Sequence, residues 1–278
     1  MSAHERSSPT ILIFDSGVGG LSIYQEVRRL VPTATFVYAS DNEAFPYGTK
    51  QEDELVSRVD DVLRRLTSRF APEVMVVACN TASTVALPKI RSRISIPVVG
   101  VVPAIKPAAQ ISQTRVIGLL ATPGTVRRSY TQDLIKEFAA DCTVLRVGSA
   151  ELVDLAEDKL RGKQVDPEKI RGIIAPLFKG ENGGRLDTVV LGCTHFPLLL
   201  KELKCEAPRP VHWIDSGPAI AKRVRSLLKG TIPSSGFGGQ PQHANENLHQ
   251  AAFTRKGPDV LALEPALREL GFSEIVYL

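Results

Sequence analysis

The 278-residue chain is poor in long apolar runs, tryptophan and charge of one sign. No apolar stretch approaches the roughly 18 to 20 residues that cross a bilayer, and the polar start lacks the apolar segment of a signal peptide. We therefore expect no membrane partner and a cytoplasmic location. The net charge of +4 comes from intermixed signs. Without a stripe of clustered Lys and Arg, a nucleic-acid partner is not expected.

Cysteine is also scarce, and its spacing excludes two classes of protein. The four cysteines are Cys79, Cys142, Cys193 and Cys205. Their spacing is irregular, with no CxxC pair and no histidine cluster, so neither a disulfide framework nor a metal site is predicted. We expect four free thiols.

Two of these cysteines follow matched apolar runs. The run from Val74 to Ala78 leads into Cys79, and the run from Thr188 to Gly192 leads into Cys193. Each run is short, rich in β-branched residues and free of charge, which is typical of a strand buried on both faces of a parallel sheet. The C-terminal ends of such strands are where ligands bind in open α/β sheets. The pair therefore predicts a substrate held between two similar halves.

Alternation of strand and helix patterns along the chain indicates an α/β fold built from one unit used twice. We predict two α/β domains with mainly parallel sheets, the first formed by residues 1–101 and 211–278, the second by residues 102–210. The predicted strands cover residues 11–14, 36–39, 74–78, 116–120, 143–147, 188–192, 211–214 and 275–278. The predicted helices cover residues 21–30, 52–70, 129–140, 167–178, 219–228 and 261–270. A surface loop at 231–259 is expected to enclose a short strand near 252–254.

The first predicted strand ends in the glycine-rich turn from Asp15 to Gly20. Its spacing fits neither a P-loop nor the G-x-G-x-x-G pattern, so nucleotide binding is not favoured. The glycines allow backbone N–H groups to approach an anion at a helix start, and Asp15 offers a carboxylate at the mouth of the site. The alternative is an ordinary strand-to-helix turn capped by Asp15 or Ser16.

A lone cysteine at a strand end is more often a packing residue than a reactive one. Cys142 and Cys205 are interpreted in that way. Cys79 and Cys193 differ because amide, hydroxyl and imidazole side chains follow them, and such groups do not enter a dry core unless they are hydrogen-bonded. His195 is the one histidine beside a strand-end cysteine. A thiol needs help to ionise, and either a nearby base or ordered amide donors provide it.

Four ordered motifs, at residues 14–21, 45–48, 78–83 and 192–197, together resemble those of the glutamate racemases, within the aspartate/glutamate racemase superfamily. The resemblance extends from about residue 11 to the end of the chain. It implies two pseudosymmetric α/β domains with the active site in the cleft between them. It also implies interconversion of L- and D-glutamate without pyridoxal phosphate, metal or nucleotide, supplying D-glutamate for peptidoglycan.

The resemblance also assigns roles. Inverting a stereocentre by proton transfer requires an acid/base group on each face of Cα. By the resemblance, Cys79 serves the D-glutamate face with help from Asp15, and Cys193 serves the L-glutamate face with help from His195 and Glu157.

The carboxylate that assists Cys193 is left open by the sequence. The segment at 148–157 departs from the Cys-Pro opening that many family members carry, so Glu151 or Asp154 could take the place of Glu157. The positions that match substrate-binding residues of the family are Asp15, Ser16, Tyr47, Gly48, Asn80, Thr81, Thr194 and His195, with Thr122 and Thr125 matching less closely.

The segments at 148–157 and 98–107 resemble the Gram-negative branch of the family, in which some members are activated by a UDP-linked peptidoglycan precursor near the interdomain hinge. The candidate activator-binding residues are Arg91, Gly100, Val101, Val102, Pro103, Ala104 and Lys106. Either a monomer or a homodimer is compatible with the sequence.

Three other functions remain as alternatives. Aspartate racemase would keep the paired cysteines, although the motifs around Asp15 and Cys193 favour glutamate. A Cys–His thiol hydrolase needs one nucleophile and an oxyanion hole, which leaves Cys79 unexplained. A periplasmic-type binding protein would share the cleft but would be expected to carry a signal peptide.

Overall fold

A computed structural model describes residues 8–229 and 248–278 of the chain, which form two parallel sheets covered by helices. The strands are β1 (Thr10–Asp15), β2 (Thr35–Ser40), β3 (Val74–Val77), β4 (Val98–Gly100), β5 (Val116–Ala121), β6 (Thr143–Gly148), β7 (Thr188–Leu191), β8 (His212–Ile214), β9 (His249–Phe253) and β10 (Phe272–Tyr277). The helices are α1 (Leu21–Leu30), α2 (Glu52–Phe70), α3 (Asn80–Arg93), α4 (Ile105–Ile111), α5 (Pro123–Arg127), α6 (Ser129–Phe138), α7 (Glu151–Leu160), α8 (Pro167–Ile174), α9 (Gly180–Arg185), α10 (Leu200–Glu206), α11 (Gly217–Leu227), α12 (Pro258–Leu261) and α13 (Glu264–Glu269).

Strand order shows that the same unit occurs twice. The first sheet has the order β10-β9-β2-β1-β3-β4, and the second has the order β6-β5-β7-β8. All observed strand pairs are parallel. The stretch β2-β1-β3-β4 therefore corresponds to β6-β5-β7-β8, which confirms the predicted α/β class and the repeated unit. In each half, the two central strands end at the same edge of their sheet.

Each sheet is buried on both faces, as the nearly continuous apolar strands predict. In β1, Ile11 and Ile13 pack against α1 and α11, whereas Leu12 and Phe14 pack against α2 and α3. The second sheet is covered on one face by α7, α8 and α10 and on the other by α4 and α6. Burying each large aliphatic side chain contributes about 1.5–3 kcal/mol, so these cores hold the strand ends, and the residues that follow them, in fixed positions.

The predicted strands and helices are confirmed within a few residues, apart from the C-terminal helix. The strand expected near residue 252 is β9, which begins at His249, and the last strand begins earlier than predicted, at Phe272. The helix predicted at 261–270 is confirmed only over α13 (Glu264–Glu269), because a separate short helix, α12, ends at Leu261. Pro265 has no N–H to continue a preceding helix and lies in the first turn of a new one. Residues 231–247 of the predicted loop lie outside the described residues.

One strand lies on a different sheet from the one that the predicted domain boundary implies. The prediction places residues 211–278 in the first domain, but β8 pairs with β7 in the second sheet. Trp213 and Ile214 pack on opposite faces of that sheet, which explains why the segment returns beside β7. The division into two domains otherwise stays a prediction. Within residues 8–229 and 248–278, no helix combines the length and apolar character needed to cross a bilayer.

His249 gives the fold a pH-dependent stability. Its side chain is buried against the rings of Tyr24, Phe36 and Phe272, and Nδ1 accepts a 3.3 Å hydrogen bond from the Phe36 N–H. Burial, with the nearby charge of Arg28, lowers the pKa of His249 to about 4. A histidine with a lowered folded-state pKa stabilises the protein above its unfolded pKa of about 6.5, and this contribution is lost as the pH falls toward 4.

We expect His249→Gln to remove part of the pH dependence of stability. In the wild-type protein, the His249 contribution to the free energy of unfolding should fall by about 2 kcal/mol between about pH 7.5 and pH 5. Urea unfolding curves at these two pH values measure it. The exposed His212 supplies the matched control, His212→Gln. Equal pH slopes for wild type and His249→Gln would contradict the prediction.

Candidate active site

A cavity of about 460 Å³ lies where the C-terminal ends of the central strands of both sheets meet. Residues from both halves line it. They are Asp15, Ser16, Phe45, Pro46, Tyr47, Gly48, Thr49, Cys79, Asn80, Thr81, Thr122, Pro123, Gly124, Thr125, Arg127, Ala150, Val153, Asp154, Cys193, Thr194 and His195. The sequence-predicted catalytic and substrate-binding residues are thus brought to one cavity, except Glu157, which lies behind it.

Cys79 stands at the junction of β3 and α3. The strand ends at Val77, and Cys79 is the residue before the first turn of the helix. The Ala82 N–H, in that first turn, donates a hydrogen bond to the Cys79 sulfur, and Ser16 Oγ lies 3.7 Å from it. Free N–H groups at a helix start favour a negative charge, so the junction suits a thiol that alternates between neutral and ionised forms.

The surroundings of Cys79 nevertheless favour its neutral form. Burial, together with the Asp15 carboxylate, raises the pKa of Cys79 to about 12. Asp15 itself has a raised pKa because it is fully buried, an effect that His195, Thr194 and Ser16 partly offset. At neutral pH, therefore, Cys79 is a thiol with a proton to give.

Cys193 has different neighbours, joined in a chain of contacts. Its sulfur lies 3.7 Å from His195 Nδ1, and His195 Nε2 lies 2.8 Å from Glu157 Oε1. Burial lowers the pKa of His195, but contacts with Cys193 and Glu157 outweigh it and hold that pKa well above 6.5. Burial raises the pKa of Glu157, but His195, the Val18 N–H and Arg161 outweigh it and leave the pKa below its usual value. His195 and Glu157 are accordingly an imidazolium–carboxylate pair.

Of the three carboxylates left open by the sequence, one contacts His195. Glu157 is buried and bonded to His195, whereas Glu151 is half-exposed and paired with Lys169 at 3.3 Å. Asp154 lines the cavity, but its oxygens make no contact with His195 within hydrogen-bond distance. Glu157 is therefore the acidic side chain in direct contact with His195.

Each half of the molecule completes the site of the other. The Val18 N–H of the glycine-rich turn donates a 2.8 Å hydrogen bond to Glu157 Oε1, and Thr194 Oγ1 donates a 2.9 Å bond to Asp15 Oδ2. Gly19 permits this approach, because a Cβ there would lie 2.5 Å from both His195 Nδ1 and Thr194 Oγ1. The glycine-rich turn, which the sequence suggests as an anion-binding turn, thus packs closely against His195, Thr194 and Glu157 of the opposite half.

One wall of the cavity is fixed by a buried ionic network. The Tyr47 hydroxyl donates a 2.6 Å hydrogen bond to Asp41 Oδ2, and Arg58 donates to both oxygens of Asp41 at 2.6 and 2.9 Å. Burial raises the pKa of Asp41, but Arg58, Tyr47 and Thr254 outweigh it, and the net pKa is lowered. The sequence predicts that Tyr47 binds substrate. It lines the cavity, but its hydroxyl proton is directed to Asp41.

Asn80 lines the cavity and carries one buried polar atom without a protein partner among the described residues. Asn80 is 7% exposed, and its Oδ1 has no hydrogen-bond partner among the described residues. Opposite it, Thr122 caps α5 by accepting a 3.3 Å bond from the Thr125 N–H, and the two hydroxyls lie 3.0 Å apart. Thr122 follows the central strand β5 of the second half, and its position corresponds to that of Asp15 at the end of β1 in the first half.

The candidate activator residues lie near the passage between the two sheets. Arg91 donates to the Val98 carbonyl at 3.1 and 3.2 Å, and Lys106 Nζ lies 5.1 Å from the centre of the Phe138 ring. The stretch from Gly100 to Ala104 joins β4 to α4. Ser216, on the returning segment, donates a hydrogen bond to the Val102 carbonyl, so the two crossing segments are tied together.

Several lining residues are not predicted by the sequence. Thr49, Val153 and Arg127 carry no signal that separates them from ordinary loop and helix residues. Asp41 and Arg58 are missed as well, since their role depends on contacts with each other and with Tyr47. Among residues 8–229 and 248–278, no three His, Cys, Asp or Glu side chains are grouped to hold a metal ion, and all four cysteines are free.

Comparison with known proteins defines the class to which this fold and site belong. The sequence pattern of the Asp/Glu/Hydantoin racemase family matches residues 11–224, and the chain belongs to that family. Within it, the similar curated proteins are glutamate racemases, which confirms the resemblance carried by the four motifs. The protein of Photorhabdus laumondii is 48% identical over 98% of this chain and 91% of its own length. That of Pectobacterium atrosepticum is 46% identical over 97% and 91%.

Solved structures lead to the same group. Escherichia coli glutamate racemase, in complex with L-glutamate and the activator UDP-MurNAc-Ala, has a TM-score of 0.89 and 46% identity, with 98% of each chain covered. The glutamate racemase RacE1 of Bacillus anthracis has a TM-score of 0.77 and 28% identity, covering 98% of this chain and 97% of the other. The predicted two-domain α/β architecture is that of these enzymes.

Proposed function

We propose that the protein is a cofactor-independent glutamate racemase that interconverts L- and D-glutamate by proton transfer between Cα and two thiols. The observation that carries the proposal is the pair of buried cysteines at one cavity, each at the end of the equivalent strand of its half. A reaction that inverts a stereocentre requires acid/base groups on two opposed faces, and the repeated unit provides them. The high identity to glutamate racemases supports glutamate over aspartate as substrate.

The two thiols have different neighbours, which suits them to different roles in one direction of the reaction. His195 Nδ1 lies 3.7 Å from the Cys193 sulfur, so the imidazole is placed to assist a proton transfer at that thiol. Cys79, with its pKa of about 12, retains its proton. In the direction from L- to D-glutamate, Cys193 takes the proton from L-glutamate, and Cys79 gives its own proton to the opposite face of Cα. The resulting D-glutamate leaves the enzyme with the protonation states exchanged.

Polar groups around the cavity fit the α-amino acid portion of this substrate. Asn80 Oδ1 is a buried acceptor without a protein partner, which suits a substrate ammonium group. The backbone N–H groups at the start of α3 suit a carboxylate. Ser16, Thr81 and Thr194 add hydroxyl groups around the same cavity.

We place this activity in the cytoplasm, supplying D-glutamate for peptidoglycan. The mechanism depends on two reduced thiols, and a reducing compartment keeps thiols in that state. We also propose activation by a UDP-linked peptidoglycan precursor, bound near Arg91, the 100–104 stretch and Lys106. The activator in the Escherichia coli complex supports this proposal, as does the position of these residues between the two sheets.

The purified protein should form D-glutamate from L-glutamate with no added cofactor, measured by chiral chromatography until the two isomers are equal. L-Aspartate is the matched control substrate and should be converted much more slowly. Parallel assays with and without UDP-MurNAc-Ala should show faster conversion in its presence. Preferential conversion of aspartate would favour the aspartate racemase alternative, and conversion of neither amino acid would remove the proposal.

A further inference from the structure

Arg161 occupies a place that the proposed mechanism does not yet use. It follows the last residue of α7, one helical turn after Glu157, and its side chain is 18% exposed. Its Nη1 forms a 2.7 Å ion pair with Glu157 Oε2. Arg161 is not one of the residues that line the cavity, so any influence on the reaction passes through Glu157.

Glu157 is held on three sides. Its Oε1 contacts His195 Nε2 and the Val18 N–H, each at 2.8 Å, and Oε2 is left to Arg161. A carboxylate bonded on Oε1 alone could still rotate about its last side-chain torsion, which is a soft one. The contact with Arg161 fixes that rotation and directs the other oxygen at His195.

The guanidinium is itself anchored from outside its own half. Its Nε donates a 3.2 Å hydrogen bond to the main-chain carbonyl of Asp259, in α12 of the C-terminal segment. That carbonyl is an acceptor that no side-chain substitution removes. The Arg161 guanidinium thus donates two hydrogen bonds at once, one to Glu157 and one to α12. Lysine cannot reproduce this planar, two-donor geometry.

We infer that Arg161 is a positioning residue for the Cys193 half of the reaction, holding Glu157 against His195 by way of its bond to α12. The inference rests on the proposed function. It predicts an effect on proton transfer at Cys193 and none on the Cys79 half. The contacts that carry this effect run from the Asp259 carbonyl through Arg161 and Glu157 to His195.

Arg161→Met should lower kcat in both directions by about 10- to 100-fold, the size expected for the loss of a hydrogen bond to a charged group. KM should change by less than about threefold, because the side chain does not touch the cavity. The matched control is Arg255→Met, since Arg255 is an exposed arginine that also pairs with Asp259, at 3.2 Å through Oδ2. It should leave kcat unchanged.

Isotope effects separate positioning from a general loss of structure. When the step at Cys193 is slowed, the effect of Cα deuteration on kcat/KM should rise for L-glutamate, whose proton Cys193 takes. It should fall for D-glutamate, whose proton Cys79 takes, because a later step then limits the rate and the effect approaches the equilibrium isotope effect of the first transfer. Arg161→Lys keeps a charge beside Glu157 but loses the second donor, so it should give a smaller fall in kcat with the same opposite changes.

The outcomes distinguish this inference from the proposed function. If wild type does not racemise glutamate, the proposed function fails. If wild type is active and Arg161→Met matches its kcat, only the inference is overturned. A lower kcat with both isotope effects unchanged also overturns it, since a smaller folded fraction would produce that result. If Arg161→Met does not fold, the same isotope measurements on Arg161→Lys decide.

Discussion

Replacing either Cys79 or Cys193 with alanine should abolish racemisation. A positioned acid/base group contributes about 10²- to 10⁴-fold, and the remaining thiol has no partner on the other face of Cα. Cys205→Ala is the matched control, because that cysteine does not line the cavity. The interpretation of Cys205 as a packing residue is wrong, since the residue is exposed. Chiral analysis of product formed by each variant measures the loss.

Solvent deuterium tests the same pair without any substitution. In heavy water, D-glutamate formed early from L-glutamate should carry deuterium at Cα, since the delivering thiol has exchanged with solvent. Unconverted L-glutamate should remain largely protiated. Mass spectrometry of both isomers distinguishes this from a single base acting on both faces, which would return some original protons to the product. Substantial protiated product, or near-normal racemisation by either alanine variant, would rule out the two-thiol mechanism.

His195→Asn and Asp15→Asn should harm the two reaction directions unequally. His195 contacts Cys193, whereas the Asp15 charge acts on Cys79, so each substitution changes one thiol. Losses in kcat of up to about 10²- to 10⁴-fold are expected, the range for a general acid/base contribution. Initial rates from L- and D-glutamate give kcat for each direction, while equilibrium fixes the ratio of the kcat/KM values.

The exposed His212 supplies a control for the histidine substitution, and His212→Asn should leave both directions unchanged. Melting curves show whether each variant is folded at the assay temperature. Identical reduction of kcat in both directions by His195→Asn and by Asp15→Asn would mean that neither group belongs to one face.

The sequence predicts the ends of the central strands well, because a short run of buried β-branched residues followed by polar ones is typical of a parallel strand that ends at a loop. This is why Cys79 and Cys193 could be singled out, and why their cavity lies at the carboxyl edges of two parallel sheets. The helix after Cys79 was not predicted. Its first turn is polar and buried, and Pro88 lies inside it, so α3 lacks an apolar stripe at helical spacing.

Contacts between distant parts of the chain could not be predicted from local patterns. Arg161 meets the carbonyl of Asp259, and Asp41 meets Thr254, only because the C-terminal segment packs beside the first sheet. Spacing within α7 allows Glu157, Glu151 and Asp154 equally, and tertiary packing buries the first of them against His195. The resemblance to the racemases favoured Glu157, but only the contacts separate the three.

Hydrogen bonds that cross between the two halves make the boundary between the halves a target for small molecules. Glu157 reaches across to the Val18 N–H, and Thr194 reaches across to Asp15, so both thiols have helpers supplied or held by the opposite half. Hydrogen bonds of this kind weaken steeply once the donor and acceptor separate beyond about 3.5 Å. A compound that binds between the halves and moves them apart by about 1 Å would therefore break both contacts. Both thiols would lose their helpers, although the compound would not occupy the glutamate site.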